Sequence, residues 1–232
     1  MKLKDYVALV TGGGRGIGRA TCLALAREGA NVIVTARSKE EIDQVRRSVE
    51  NIGPESLAIS ADIRNEPDVR DMVADSMERF GRIDILVNNA GVAVRKPLVE
   101  TSAEEFDTVM GVNVKGLFLC TKYVLPHMLE KGSGKIINVS SGAGKSGIGQ
   151  LSVYSASKFA VIGLTESVAQ EVAGKIGVYA VCPGSVDTGM YRSLYGDTPS
   201  LKPEDVASRI VEICLPGSRV SSGSCVTVYG RR

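Results

Sequence analysis

Tyr6-Val7-Ala8-Leu9-Val10-Thr11-Gly12-Gly13-Gly14-Arg15-Gly16-Ile17-Gly18 decides the fold. An apolar run leads without a break into a glycine-rich turn, and a helical pattern follows from Ile17 to Arg27. A run that is continuously apolar rather than alternating belongs to a strand covered on both faces, as in a parallel sheet. Glycines let a backbone turn tightly and approach a pyrophosphate, which then rests on the N-terminus of the following helix. The spacing is GxxxGxG, one residue longer in its first gap than the common GxGxxG. A strand before and a helix after favour a dinucleotide site over a plain turn.

The same alternation continues outward. Strands are predicted at Tyr6–Thr11, Val32–Ala36, Ser56–Ser60, Ile83–Asn88, Lys135–Ser140, Val178–Cys182 and Cys225–Val228. Helices are predicted at Ile17–Arg27, Lys39–Asn51, Asp68–Phe80, Ala103–Lys131 (eased at Gly111), Tyr154–Ala173 and Glu204–Cys214. Ser38 with Glu41, and Ser102 with Glu105, have the spacing of capping boxes. Strict alternation means right-handed βαβ units, hence an α/β fold: a doubly wound parallel sheet of about seven strands with helices on both faces. No linker or repeat interrupts it. The expectation is a single domain, with a cofactor half at about 1–133 and a catalytic and substrate half at about 134–232. Ligands bind such sheets beyond the carboxyl ends of the strands, so the residues after each strand carry the argument.

After the second strand comes Ala36-Arg37-Ser38, where a site for the unphosphorylated dinucleotide usually has an acid for the ribose hydroxyls. No carboxylate occurs until Glu40, already inside the helix. Arg37 offers a permanently charged planar fork suited to a 2′-phosphate, and Arg15 could approach the same group. The pair favours NADPH over NADH. Asp62-Ile63 follows the third strand, where the Asp either accepts from the adenine amine or heads a turn. Asn88-Asn89-Ala90-Gly91 follows the fourth and suits either close packing on a cofactor ribose or a simple turn. Ser140-Ser141 ends the fifth. Asn113 stands in an apolar helical stretch, where it either bonds its own backbone or holds a buried water. Tyr154 and Lys158, four apart on a helix, share one face. An ammonium beside a phenol lowers its pKa from about 10, and a tuned tyrosine can exchange a proton with an alcohol oxygen.

Composition excludes several alternatives. The 232 residues carry a net charge of +2 spread along the chain, with no footprint for nucleic acid or membrane. No run reaches transmembrane length and no signal-peptide pattern opens the sequence. The five cysteines, Cys22, Cys120, Cys182, Cys214 and Cys225, are odd in number and show no metal spacing. They are expected to be reduced thiols of a cytoplasmic protein. The single histidine, His127, makes histidine-based catalysis or a metal site a poor expectation.

The glycine turn, Asn-Asn-Ala-Gly, Asn113, Ser141 and Tyr154-x-x-x-Lys158, in this order, resemble the short-chain dehydrogenase/reductase family in its short single-domain branch. Cys182-Pro183-Gly184 with Thr188 is similar to the family's Pro-Gly motif. The resemblance covers essentially the whole chain. It implies a Rossmann-type fold, a homotetramer or homodimer formed through the long helices, and a catalytic set of Asn113, Ser141, Tyr154 and Lys158. Tyr154 would be the acid–base and Lys158 would lower its pKa and bond the nicotinamide ribose. Ser141 would polarise the substrate carbonyl, and Asn113 would hold a water of the proton relay. It implies NADP(H) contacts from Gly12, Gly14, Arg15, Gly16, Ile17, Gly18, Arg37, Ser38, Asp62, Ile63, Asn89, Ala90, Gly91, Pro183, Gly184, Val186 and Thr188. Ser141, Ala143, Leu151, Met190, Tyr191 and Leu194 form the expected substrate pocket, with Tyr195 in the lid.

Among subfamilies the chain most resembles 3-oxoacyl-[acyl-carrier-protein] reductases, which implies a 3-oxoacyl thioester substrate and an acyl carrier protein as partner. Three departures stand against it. The segment from Asp187 to Pro203 is about ten residues shorter than is usual there. Of two basic docking positions, Lys175 fits and Pro126 does not. The ending Val228-Tyr229-Gly230-Arg231-Arg232 lacks Gly-Gly. A polyol, sugar or secondary-alcohol dehydrogenase stays open, and a non-catalytic dinucleotide sensor more distantly. Lys145 and Arg95 either face an anionic substrate at the mouth or are simply solvated.

Overall fold

The computed structural model describes residues 1–172 and 174–230. Seven strands pair in parallel: β1 (Val7–Thr11), β2 (Asn31–Ala36), β3 (Ser56–Ser60), β4 (Ile85–Asn88), β5 (Gly134–Val139), β6 (Ile176–Pro183) and β7 (Cys225–Val228). Their order is β3-β2-β1-β4-β5-β6-β7. The chain winds outward from β1 to β3, returns to the other side of β1, and winds outward again through β7. The reversal falls between β1 and β4, and a crevice opens there at the carboxyl ends.

Residue alternation divides the core into two layers. Ala8, Val10, Val32, Val34, Ile85 and Val87 pack with Cys22, Leu25, Val45 and Ile210 from helices α1 (Gly16–Arg27), α2 (Lys39–Glu50) and α8 (Pro203–Cys214). Val7, Leu9, Ile33, Leu86 and Ile136 pack with Met72, Leu119, Val124 and Met128 from α3 (Glu66–Phe80) and α5 (Leu117–Lys131). Both faces being covered is why the strand sequences read as unbroken apolar runs. Each buried Val, Leu or Ile contributes about 1.5–3 kcal/mol relative to exposure. One buried charge interrupts this core. Asp84 accepts from the Val7 amide at 2.9 Å and pairs with Arg82 and Lys131. Burial pushes its carboxyl up, but those hydrogen bonds outweigh burial and hold it below the usual carboxylate range.

Element ends shift by one or two residues from the sequence reading, as helix and strand ends do. Larger differences have local causes. Ala103–Lys131 is three pieces: α4 (Ala103–Met110), a π-helical turn over Gly111–Gly116, and α5. The capping box at Ser102 and Glu105 forms completely. At Ser38 only half of it forms: the hydroxyl accepts from the Glu41 amide, while the Glu41 carboxylate turns toward Arg15 at 3.8 Å. Helix α6 (Ser152–Glu171) starts before Tyr154; the expected end at Ala173 lies outside the described residues, as do Arg231 and Arg232. A short helix, α7 (Gly189–Tyr195), occupies the segment expected only as a lid.

The expectation of five reduced thiols is corrected. Cys182 on β6 and Cys225 on β7 form a disulfide, because these strands are sheet neighbours and bring the two Cα atoms to 6.5 Å. Cys22, Cys120 and Cys214 are free and buried, and burial pushes their thiols up to about 12 or beyond. Among the described residues no helix is long and apolar enough to cross a membrane, and no cluster of potential metal ligands occurs.

Candidate active site

One cavity of about 950 Å³ occupies the crevice, with walls from the segments that follow β1 through β7. At one end stands the glycine turn. Gly12 has φ +63°, and a Cβ there would stand 2.9 Å from the Ala90 Cα. A Cβ on Gly18 would meet the Gly12 carbonyl oxygen at 2.1 Å, so α1 touches the turn directly. No side chain caps α1 at Arg15 and no acid lies in its first turn. Gly14, Arg15, Gly16 and Ile17 line the cavity. An uncapped helix N-terminus behind a glycine turn fits a pyrophosphate, so the residues present suit a dinucleotide.

Arg37 and Ser38 line the same end. Arg37 has no carboxylate within 4.0 Å among the described residues, whereas Arg15 faces Glu41. Glu41 itself lines the cavity beside Gly14, a carboxylate that the sequence reading took only as half of a capping box. Ser38 caps α2. Asp62 lines the wall with Ile63, but its carboxylate accepts from the Arg64 amide and guanidinium. Of the two alternatives for Asp62, the structure shows the residue heading a turn. The Arg64 hydrogen bond holds its carboxyl below the usual range.

Asn89, expected against the cofactor ribose, lines the cavity wall. Its amide donates to the carbonyls of Thr11 at 2.9 Å and Gly12 at 3.2 Å, and so ties β4 to the glycine turn. Ala90 and Gly91 keep their places in the wall. Asn113 does not bond its own backbone, one of its two expected alternatives. Its Oδ1 accepts from the Val92 amide at 2.9 Å, and its Nδ2 donates to the Val92 carbonyl and to the Ser157 hydroxyl, each at 2.9 Å. It pins the segment after β4 to α6. Gly91 keeps a gap open between Asn113 and Lys158: a Cβ there would lie 3.4 Å from Asn113 Oδ1 and 3.5 Å from Lys158 Nζ.

At the other end Ser141, Tyr154 and Lys158 share the cavity wall. Ser141 begins a 3-10 turn, and its Oγ accepts from the Ala143 amide at 3.1 Å. Lys158 is buried; its ammonium donates to the Val139 carbonyl at 2.9 Å and lies 5.7 Å from the centre of the Tyr154 ring. Burial lowers the Lys158 pKa to about 8. The expected lowering of the Tyr154 pKa is corrected. Burial raises it, a hydrogen bond with Ser141 opposes the rise, and the neighbouring Tyr195 adds to it. Lys158, 5.7 Å from the ring centre, is not among the groups that shift the phenol.

Pro183, Gly184, Val186 and Thr188 border the wall after β6, and Ala143, Leu151, Met190, Tyr191 and Leu194 surround the Tyr154 end. Ile148, Tyr195 and Tyr229 complete it. Ile148 and Tyr229 went unread, although Tyr229 directly follows β7, where the rule applied to the other strands would have found it. Lys145 and Arg95 are both exposed and outside the cavity wall, and Arg95 is bonded to α7. Among the described residues, Lys158 is the one charged side chain that lines the Tyr154 end.

A family model described as short chain dehydrogenase matches residues 6–198. The chain is 41% identical to a 3-oxoacyl-[acyl-carrier-protein] reductase of Synechocystis sp. over 98% of its length and 97% of that protein. Among solved structures, a 3-ketoacyl-(acyl-carrier-protein) reductase from Brucella melitensis complexed with NADH superposes with a TM-score of 0.90 at 33% identity, covering 97% of each chain. Levodione reductase gives the same score at 34% identity, covering 97% of this chain and 96% of that one. With the sheet order, the glycine turn and nearly the whole length in common, the chain belongs to the short-chain dehydrogenase family.

Proposed function

We propose that the protein reduces a ketone to the alcohol with NADPH, the substrate being a 3-oxoacyl thioester or a similar neutral carbonyl compound. The observation that carries this is the cavity itself, with a dinucleotide cradle at one end and Ser141, Tyr154 and Lys158 together at the other. Gly12, Gly14, Gly16, Ile17 and Gly18 would hold the pyrophosphate, and Arg37 the 2′-phosphate. Asp62, Ile63, Ala90 and Gly91 would flank the adenosine and ribose, with Lys158 on the nicotinamide ribose. Pro183, Gly184, Val186 and Thr188 would border the carboxamide. The bound cofactor supplies a hydride to the carbonyl carbon.

Ser141 orients the carbonyl oxygen and, with Tyr154, donates to the negative charge that grows there. Tyr154 then gives up its proton. A phenol whose pKa burial raises is protonated at neutrality, the form that reduction requires. Lys158, charged below about pH 8, steadies the phenolate left behind. Asn113 holds Val92 and α6 in register around the Gly91 gap, through which Lys158 recovers a proton. Tyr154→Phe tests this: turnover disappears while the variant still binds NADPH as the parent does. Substantial residual reduction by the variant would overturn the reading.

Glu41 in the cofactor wall favours one alternative, use of NADH, whose free ribose hydroxyls would donate to its carboxylate. A panel of 3-oxoacyl thioesters, cyclic diketones and polyols with each cofactor separates ketone reduction from polyol oxidation. Run with carrier-protein and pantetheine thioesters, it also tests Lys175 as a docking residue. The proposal includes a cytoplasmic location and a homodimer or homotetramer. Phe118 and Leu129 on α5 are exposed and line an apolar groove of about 300 Å³, a face that a second copy of the chain would cover.

A further inference from the structure

We infer that Arg95 is a positioning residue that latches α7 shut over the Tyr154 end of the cavity, an inference that rests on the function proposed above. Helix α7 has no buried residue, so the core does not hold it. Its hydrogen bonds are local: Thr188 caps it, Arg192 pairs with Asp187, and Ser193 donates to the Met190 carbonyl. Among the described residues, the one side chain from a distant segment that bonds it is Arg95, from the loop after β4. Arg95 Nη1 donates to the Leu194 carbonyl at 3.1 Å, and its guanidinium carbon lies 4.5 Å from the centre of the Tyr195 ring. Tyr195 stacks in turn on Tyr191, with ring centres 4.6 Å apart. The result is a three-layer stack of guanidinium, phenol and phenol.

The chemistry suits an arginine specifically. A planar cation can lie flat on a ring while an N–H of the same plane reaches a carbonyl, which a lysine ammonium cannot do together. The carbonyl it takes belongs to the last turn of α7, where a positive charge is favourable. Arg95 forms no ion pair among the described residues, so no carboxylate competes for it. Because Met190, Tyr191, Leu194 and Tyr195 all line the cavity, opening the latch moves four wall residues at once. A neutral substrate, which the uncharged wall suits, would be held by that closure and not by Arg95 itself.

Trypsin cleavage at Arg192–Ser193 reads lid opening without any turnover. Arg95→Ala and Tyr195→Leu should each be cut there about 3–10-fold faster than the parent, the loss of one cation–π contact and one hydrogen bond. Arg95→Lys should fall between, and the double variant should gain little over either single one. In Arg95→Ala and Arg95→Lys the ketone KM should rise several-fold with kcat within about twofold. Equal cleavage in all variants, in an enzyme that still reduces a ketone, refutes the latch and leaves the proposed function standing. Faster cleavage in a protein that neither binds a nicotinamide dinucleotide nor reduces a ketone upholds the latch and removes the proposed function.

Discussion

Gly18→Ala separates helix propensity from packing. On propensity alone, alanine in place of a helical glycine stabilises by about 1 kcal/mol. In this structure the added Cβ would lie 2.1 Å from the Gly12 carbonyl oxygen and 2.5 Å from Asn89 Nδ2, both far inside van der Waals contact. Neither neighbour can step aside freely. The first is backbone in a turn at φ +63°, and the second donates to the Thr11 and Gly12 carbonyls. Overpacking of this kind costs about 1–3 kcal/mol, and loosening the two Asn89 hydrogen bonds adds about 1 kcal/mol each. After the propensity gain, the net loss is about 2–4 kcal/mol, or roughly 4–16 °C in Tm for a chain of this size. Dinucleotide affinity should fall at least about tenfold, because the displaced Gly12 carbonyl is part of the cradle. Thermal unfolding by circular dichroism and a nicotinamide fluorescence titration measure both. An unchanged or raised Tm would mean that α1 does not approach the turn this closely, and the geometry argued for the cradle would fail with it.

Arg37→Asp should raise the KM for NADPH by about tenfold or more with little change for NADH; equal changes for both would remove Arg37 from the 2′-phosphate. Lys158 has a folded pKa of about 8 against 10.5 for an ordinary lysine, so between these values the unfolded chain binds more protons and this group's contribution to stability rises with pH. The rise is at most about 1.4 kcal/mol per pH unit. The buried thiols, with raised pKa values, lose stability above about pH 9 in the opposite sense. Urea unfolding of the parent minus that of Lys158→Met isolates the lysine, and a flat difference from pH 8 to 10 would contradict its burial in charged form. Cys225→Ser opens a loop of 43 residues, worth about 4 kcal/mol on a chain-entropy account, or roughly 8–16 °C. A melting temperature unchanged in the variant and insensitive to reductant would show that the pair is not bonded in solution.

The sheet was legible because buried parallel strands leave unbroken apolar runs such as Ile85-Leu86-Val87, and the site was legible because its residues follow those strands. What was missed depends on contacts between segments. Asn89 and Asn113 carry the right side chains, but their partners, Gly12 and Val92, stand 77 and 21 residues away. Cys182 and Cys225 pair only because β6 and β7 are neighbours, a matter of topology rather than spacing. Glu41 looked like half of a capping box, and its turn toward Arg15 is a choice the local sequence leaves open. Helix α7, at seven residues, is too short for an apolar period to show.

The π-helical turn at Gly111–Gly116 has a consequence for how this chain can change length. Buried positions Val109, Asn113, Leu117 and Thr121 step by four. An α-helix turns 100° per residue, so each such step drifts by about 40° and three steps by about 120°. The wider turn takes most of that rotation back, which lets Asn113 face Val92 while Leu117 and Thr121 still face the sheet. Deleting one residue between 111 and 116 would straighten the segment into an ordinary helix with no helical hydrogen bond lost. It would leave α4 nearly in phase with α5, because five π-helical steps turn about as far as four α-helical ones, so the capping box at Ser102 and the Lys96–Glu105 pair would keep their places. What the deletion would cost is the seat of Asn113 against Val92 and Ser157. The segment marks a place where one residue can be gained or lost without changing the phase of the flanking helices.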